Sequence, residues 1–245
     1  PGRKDADINE NLRDMELWRS LNHLFVGFEG GPGHQKHDST GAYLGEIKTE
    51  DRWDPVVSRV GGVWDKLLDQ GEDIWGALAV SDFHETEGDY APCQYSRTYI
   101  SVPEKSYQGI IQGLRAGSFW AEHGQILSNL VFMATNSDLA FMAVPGESVY
   151  LKAEHTIQLK VELQRGPAAI NEPLTIEIIG NSRSGKPELL FSEVLPENVN
   201  ALSVEPGVLR PGADNKSSYF RVRVRKHIED GPDLLAYSNP IRVFK

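Results

Sequence analysis

The chain has 245 residues, with 25 Lys+Arg against 35 Asp+Glu and a formal net charge of −10. Its 40% hydrophobic and 24% charged residues are ordinary globular values, which exclude a disordered, collagenous or coiled-coil chain. No apolar run approaches the roughly 20 residues a helix needs to cross a bilayer, and a single cysteine, Cys93, forbids an intrachain disulfide. The charge is unevenly spread: residues 1–146 hold 12 basic and 22 acidic residues, whereas residues 147–245 hold 13 of each. An acidic first part that carries five of the seven histidines argues against a nucleic-acid partner, which would need a basic face. It suits carboxylates gathered around a cation.

In chain order, Asp7 can cap a helix whose apolar positions Leu12, Met15, Leu17 or Trp18 and Leu21 recur at helical spacing. Leu24 to Phe28 reads as a short buried strand that runs into the turn-forming loop Glu29-Gly30-Gly31-Pro32-Gly33-His34. Residues 35–54 are polar and irregular. Asp54-Pro55 opens a helix through Val56, Val57, Val60, Val63, Leu67 and Leu68 that ends near Gly71, with Pro in its favoured first turn. Ile74 to Val80 is a second apolar strand, ending at Ser81-Asp82-Phe83-His84, and Tyr107 to Ala116 is a further helix. Strand–helix–strand–helix order predicts an α/β unit, whose working residues gather beyond the C-terminal ends of parallel strands.

The second part has a different period. Ile157, Leu159, Val161 and Leu163 alternate with polar residues, as do Leu174, Ile176 and Ile178, and Phe220, Val222 and Val224. Turn signals at Gly166-Pro167, Gly185-Lys186-Pro187, Pro206-Gly207 and Pro211-Gly212 separate these runs. The pattern predicts an antiparallel β-sandwich over residues 127–245, after an α/β part over residues 1–126.

Asp82 and His84 are the best local signal for chemistry. Two residues apart at a strand end, a carboxylate and an imidazole point to one side and can share zinc, manganese or iron. Glu29, His34 and His37 are a second candidate ligand set, because Glu29 leaves a buried strand and the glycines let the chain fold back tightly. Gly180 to Lys186 matches the start of a phosphate-binding loop, but Pro187 stands where Ser or Thr must hold magnesium. Cys93 reads as a small buried residue. The stripe Arg221, Arg223 and Arg225 reads as the solvent face of a strand, and Trp64 reads as core.

Trp64-Asp65-x-Leu67-Leu68-x-x-Gly71, an apolar strand and then Ser81-Asp82-x-His84 resemble the closing segment of the PHP (polymerase and histidinol phosphatase) metallohydrolases. The bacterial CehA/McbA-like phosphoesterase group is the nearest variety, and Gly113-Leu114-Arg115-Ala116-Gly117-Ser118-Phe119-Trp120 is similar to its helix-then-strand ending. The resemblance runs from about residue 23 to residue 126. It implies a β/α barrel, two or three divalent ions that activate water against a phosphoester, ligand roles for Asp82 and His84, and a weaker one for Glu29 or His34.

The same resemblance implies a His-x-His pair near the start, and residues 1–22 contain no histidine. The expectation is therefore a partial (β/α) PHP-type barrel followed by an antiparallel β-sandwich. The missing front half would lie upstream of Pro1. Such a chain would hold a divalent metal weakly, hydrolyse phosphoesters poorly and self-associate through the incomplete barrel, with no membrane partner. The contrasting expectation is a non-enzymatic α/β remnant whose β-sandwich binds carbohydrate or a protein partner.

Overall fold

The computed structural model describes residues 8–22, 24–32, 51–136, 142–151, 156–207 and 217–244. Four α-helices occur among them: α1 (Ile8–Leu21), α2 (Pro55–Ser58), α3 (Val63–Asp69) and α4 (Tyr107–Ala116). The strands are β1 (Ser96–Ile100), β2 (Phe119–His123), β3 (Leu127–Asn136), β4 (Met142–Ala143), β5 (Ser148–Tyr150), β6 (Ile157–Arg165), β7 (Leu174–Gly180), β8 (Glu188–Leu195), β9 (Ala201–Val204), β10 (Ser217–Lys226), β11 (Leu234–Ser238) and β12 (Ile241–Phe244).

Local chemistry explains most helix ends. Ser106 caps α4 by accepting the Gly109 amide, and Gly117 ends it in the left-handed region at φ +72. Asp54 caps α2 through the Val56 amide, with Pro55 at the first position. The helix predicted from Pro55 through Leu68 is two helices, because Gly61 at φ +74 and Gly62 break it between Ser58 and Val63. The predicted cap Asp7 lies outside the described residues.

Two sheets carry the molecule. One runs β1-β2-β11-β10-β12-β5, with β7 on the other edge of β10 and β8 beyond it; the second runs β4-β3-β6-β9. Among the described residues every ladder is antiparallel except the pairing of β12 with β5. The two sheets enclose one apolar core that includes Phe132, Leu159, Val161, Ile176, Phe220, Val222 and Val224. The opposite face of the first sheet is covered by α1, α3 and the segments around Phe28 and Trp75, which pack with Phe119, Tyr219, Leu235 and Tyr237 in a second core. Strand β10 is therefore buried on both faces, its even-numbered residues toward the sandwich and its odd-numbered ones toward the helices.

These observations correct the expected fold class. No β/α barrel is present among the described residues: 39% of them are strand and 19% helix, and the sheets are mixed or antiparallel and not closed. The segments predicted as parallel barrel strands do meet in parallel, but through only two isolated bridges, Gly27 to Trp75 and Gly31 to Ala79. Among the described residues no third parallel strand follows. The amides of Ala77 and Ala79 are instead taken by the side chains of Asn239 (3.1 Å) and Thr98 (3.0 Å). Strand β2, which the barrel reading assigned to the first part, pairs antiparallel with β11, so one sheet spans both sides of residue 126. Alternation of elements along the chain carries no information about which strands finally pair, and here long-range antiparallel pairing decides the architecture.

Candidate functional site

The two short parallel segments deliver the candidate ligands to one end. Phe28 donates to the Trp75 carbonyl at 2.9 Å, Trp75 to Val26 at 3.0 Å, Gly30 and Gly31 to Leu78 at 2.9 Å, and Val80 to Gly31 at 3.0 Å. This lacing requires close backbones, and the glycines permit it: a Cβ on Gly27 would sit 2.4 Å from the Trp75 carbonyl oxygen. Glu29 rides on the first segment and Asp82 lies two residues past the end of the second. Asp54 joins them, because its amide donates to the Gly30 carbonyl at 2.8 Å.

Glu29 is half-buried, and its Oε1 is enclosed with no hydrogen-bond partner among the described residues. Burial raises its pKa first, and the negative charges of Asp82 and then Asp54 raise it further. Sequence reasoning did not single out Asp54 as part of this group, because its helix-capping role already accounted for it. A half-buried carboxyl that faces like charges is the feature here that a divalent cation would satisfy.

Asp82 and His84 are both exposed, with side-chain accessibilities of 52% and 70%. Asp82 takes a left-handed backbone conformation at φ 47, uncommon for a residue with a Cβ. The His84 ring folds back so that Nδ1 lies 2.6 Å from the Asp82 carbonyl oxygen and 3.6 Å from Asp82 Oδ1. A carbonyl only accepts, so Nδ1 carries the hydrogen in that contact, and in the neutral ring Nε2 is then the nitrogen with the lone pair. Below them, the buried carboxylate of Asp89 accepts from the His84 amide (2.7 Å) and the Glu85 amide (2.8 Å), which pins the loop. His34 and His37 lie outside the described residues. Among the described residues, no group of three or more His, Cys, Asp or Glu side chains is placed to hold a metal ion. Glu29 and Asp82 are thus brought into electrostatic contact and His84 is held beside Asp82, but they do not close into a complete ligand set.

Several other expectations change. The Arg221, Arg223 and Arg225 stripe is not a solvent face: Arg221 is fully buried and Arg223 nearly so. Arg221 holds Asp65, and Arg223 Nε lies 2.5 Å from Glu177 Oε2. Asp65, inside the motif that carries the family resemblance, therefore serves as the anchor of a buried ion pair. Cys93 is exposed rather than buried and sits in a turn at φ 64. Trp64 is core, as expected. The loop 181–187 connects β7 to β8 with strand on either side, so no helix follows it to receive a phosphate.

One titratable pair went unnoticed in the sequence. Glu122 and His123, neighbours on β2, are both fully buried. The Glu122 carboxyl accepts from the Tyr99 hydroxyl (3.0 Å) and the Leu127 amide (2.9 Å), and burial pushes its pKa up to about 7. The His123 ring stacks on Trp53, with centroids 4.7 Å apart, and lies 4.9 Å from the ring of Tyr95. Consecutive polar residues on a strand point to opposite faces, and only a sheet covered on both faces buries both.

No protein-family model matches this sequence, and no curated protein matches it at a significant level.

Proposed function

We propose that the chain serves metal-dependent phosphoester hydrolysis of the PHP type, with Glu29, Asp82 and His84 each contributing to a divalent-metal site. The observation that carries this reading is the enclosed Oε1 of Glu29, which has no hydrogen-bond partner among the described residues and faces the charges of Asp82 and Asp54. An enclosed carboxylate that faces like charges is costly in the folded protein, and a divalent cation would relieve it. The bound metal would supply Lewis acidity toward a phosphoryl oxygen and a water of lowered pKa. The chain's own residues do the rest: Glu29 presents an enclosed carboxyl oxygen, His84 presents Nε2 when its neutral ring donates from Nδ1 to the Asp82 carbonyl, and Asp89 fixes the loop that carries both. With so few described ligands, binding is expected to be weak and hydrolysis slow.

The test is a calorimetric titration of Mn2+ into the full chain and into Glu29→Gln and Asp82→Asn. Saturable binding that each substitution weakens by about tenfold or more supports the reading. Identical heats in all three proteins overturn it. Slow hydrolysis of bis(p-nitrophenyl) phosphate that depends on Mn2+ and is lost in Asp82→Asn would extend it from binding to catalysis.

A further inference from the structure

Where β1 and β2 stand against β3, the molecule encloses a cleft of about 510 Å3. One wall is aromatic. Tyr99 and Trp120 are direct cross-strand partners, and their rings stack in parallel, 4.0 Å apart. Leu130 and Phe132 of β3 line it as well, together with Val144 and Pro145. The volume falls within the range of about 300–1,000 Å3 typical of small-molecule sites.

The polar lining has one sign. Glu147 is exposed at the mouth, and its carboxylate is positioned by the Val144 amide, which donates to Oε2 at 3.1 Å, while the Glu147 amide donates back to the Val144 carbonyl at 2.9 Å. None of the described residues lining the cleft is Lys, Arg or His. Behind the aromatic wall, the Tyr99 hydroxyl donates to Glu122 at 3.0 Å and accepts from Arg97 at 3.3 Å. A fixed carboxylate in the same cleft as aromatic rings, with no cation among the described lining residues, disfavours an anionic ligand and favours a cationic one.

We propose that this cleft binds a small organic cation, an ammonium-bearing molecule with an apolar ring, whose body lies along Tyr99 and Trp120 and whose charge meets Glu147. The site shares no residue with Glu29, Asp82 and His84, so its fate is independent of the metal reading.

Berberine, a planar aromatic cation that becomes fluorescent in apolar surroundings, is the probe, and 1-anilinonaphthalene-8-sulfonate is the anionic control. Both are titrated into the full chain at about 0.1 M salt, where the Debye length of about 10 Å screens the diffuse attraction of an acidic protein. Berberine is expected to saturate a single site. Ser101→Trp, an exposed position lining the cleft, should block it, and Glu147→Gln should weaken it about three- to fivefold, the measure of an exposed ion pair. Unchanged urea midpoints would show that both variants fold. The proposal is overturned if berberine does not saturate, if folded Ser101→Trp binds as the wild type does, or if the anion binds as tightly.

Discussion

Arg221 and Asp65 meet through two parallel hydrogen bonds, Nε to Oδ1 at 2.7 Å and Nη2 to Oδ2 at 3.0 Å, with neither side chain exposed to solvent. The pair ties β10 to α3. Trp64 lies under the same guanidinium, 4.7 Å from ring centroid to Cζ, and the second oxygen of Asp65 also accepts the Gly61 amide at 2.8 Å. A bidentate arginine is suited to this position because its planar fork satisfies both carboxylate oxygens at once.

Breaking this pair on one side leaves a buried charge with no counterpart. Asp65→Ala is expected to lower unfolding free energy by about 3–5 kcal/mol, read from urea denaturation. The double variant Asp65→Leu, Arg221→Met should recover most of that loss, because it removes both charges together. Equal destabilisation by the single and double variants would show that packing around the pair, rather than charge, holds α3 on the sheet.

Glu122 should make stability depend on pH near neutrality. Its folded pKa, about 7, lies above the ordinary carboxyl value of 4.5, so the native state binds more protons than the unfolded state between those values. Stability contributed by the neutral acid is therefore present at and below about pH 4.5 and is lost as pH rises through 7. The expected loss attributable to Glu122 is on the order of 3 kcal/mol. Urea midpoints at pH 5 and pH 8, compared between wild type and Glu122→Gln, check this. The variant should show a smaller drop.

Glu29 follows the same sign. Its raised pKa means that its ionised form burdens the fold above the ordinary carboxyl range, most at alkaline pH. Glu29→Gln is expected to melt higher than wild type at pH 8 and to lose that advantage at pH 4. Added Mn2+ should raise the wild-type melting temperature more than that of the variant. A variant that melts lower at pH 8 would mean that the carboxylate has a structural partner.

Gly117 ends α4 at φ +72, with the Trp75 ring packed against its missing side chain. A Cβ there would lie 2.6 Å from the indole, so Gly117→Ala suffers both backbone strain and overlap. The backbone conformation alone costs about 1–2 kcal/mol. Thermal denaturation should show a fall of several degrees, accompanied by a change in tryptophan emission, since the Trp75 indole donates to the Arg115 carbonyl at 3.0 Å.

Local patterning determined much of this protein. Helix α4 could be placed over Tyr107 to Ala116, although its buried positions are Gly109 and Gly113 and Ile110 is exposed, and the inward sets Ile157, Leu159, Val161, Leu163 and Leu174, Ile176, Ile178 follow from period two alone. Asp82 and His84 were visible as a pair because adjacency in sequence keeps them adjacent in space. Proximity of Glu29, Asp54 and Asp82 was not visible, since it depends on the parallel lacing of segments more than 40 residues apart. The arginines of β10 could be assigned to one face, but not to water or to protein. That choice belongs to whatever covers the face, and α3 supplies it from a position 156 residues away. The sheet order was likewise decided only in three dimensions, because backbone hydrogen bonds are the same whichever strands exchange them. Side-chain periodicity identifies strands and their faces. Only packing of both faces chose antiparallel sheets over the barrel that the chain order suggested.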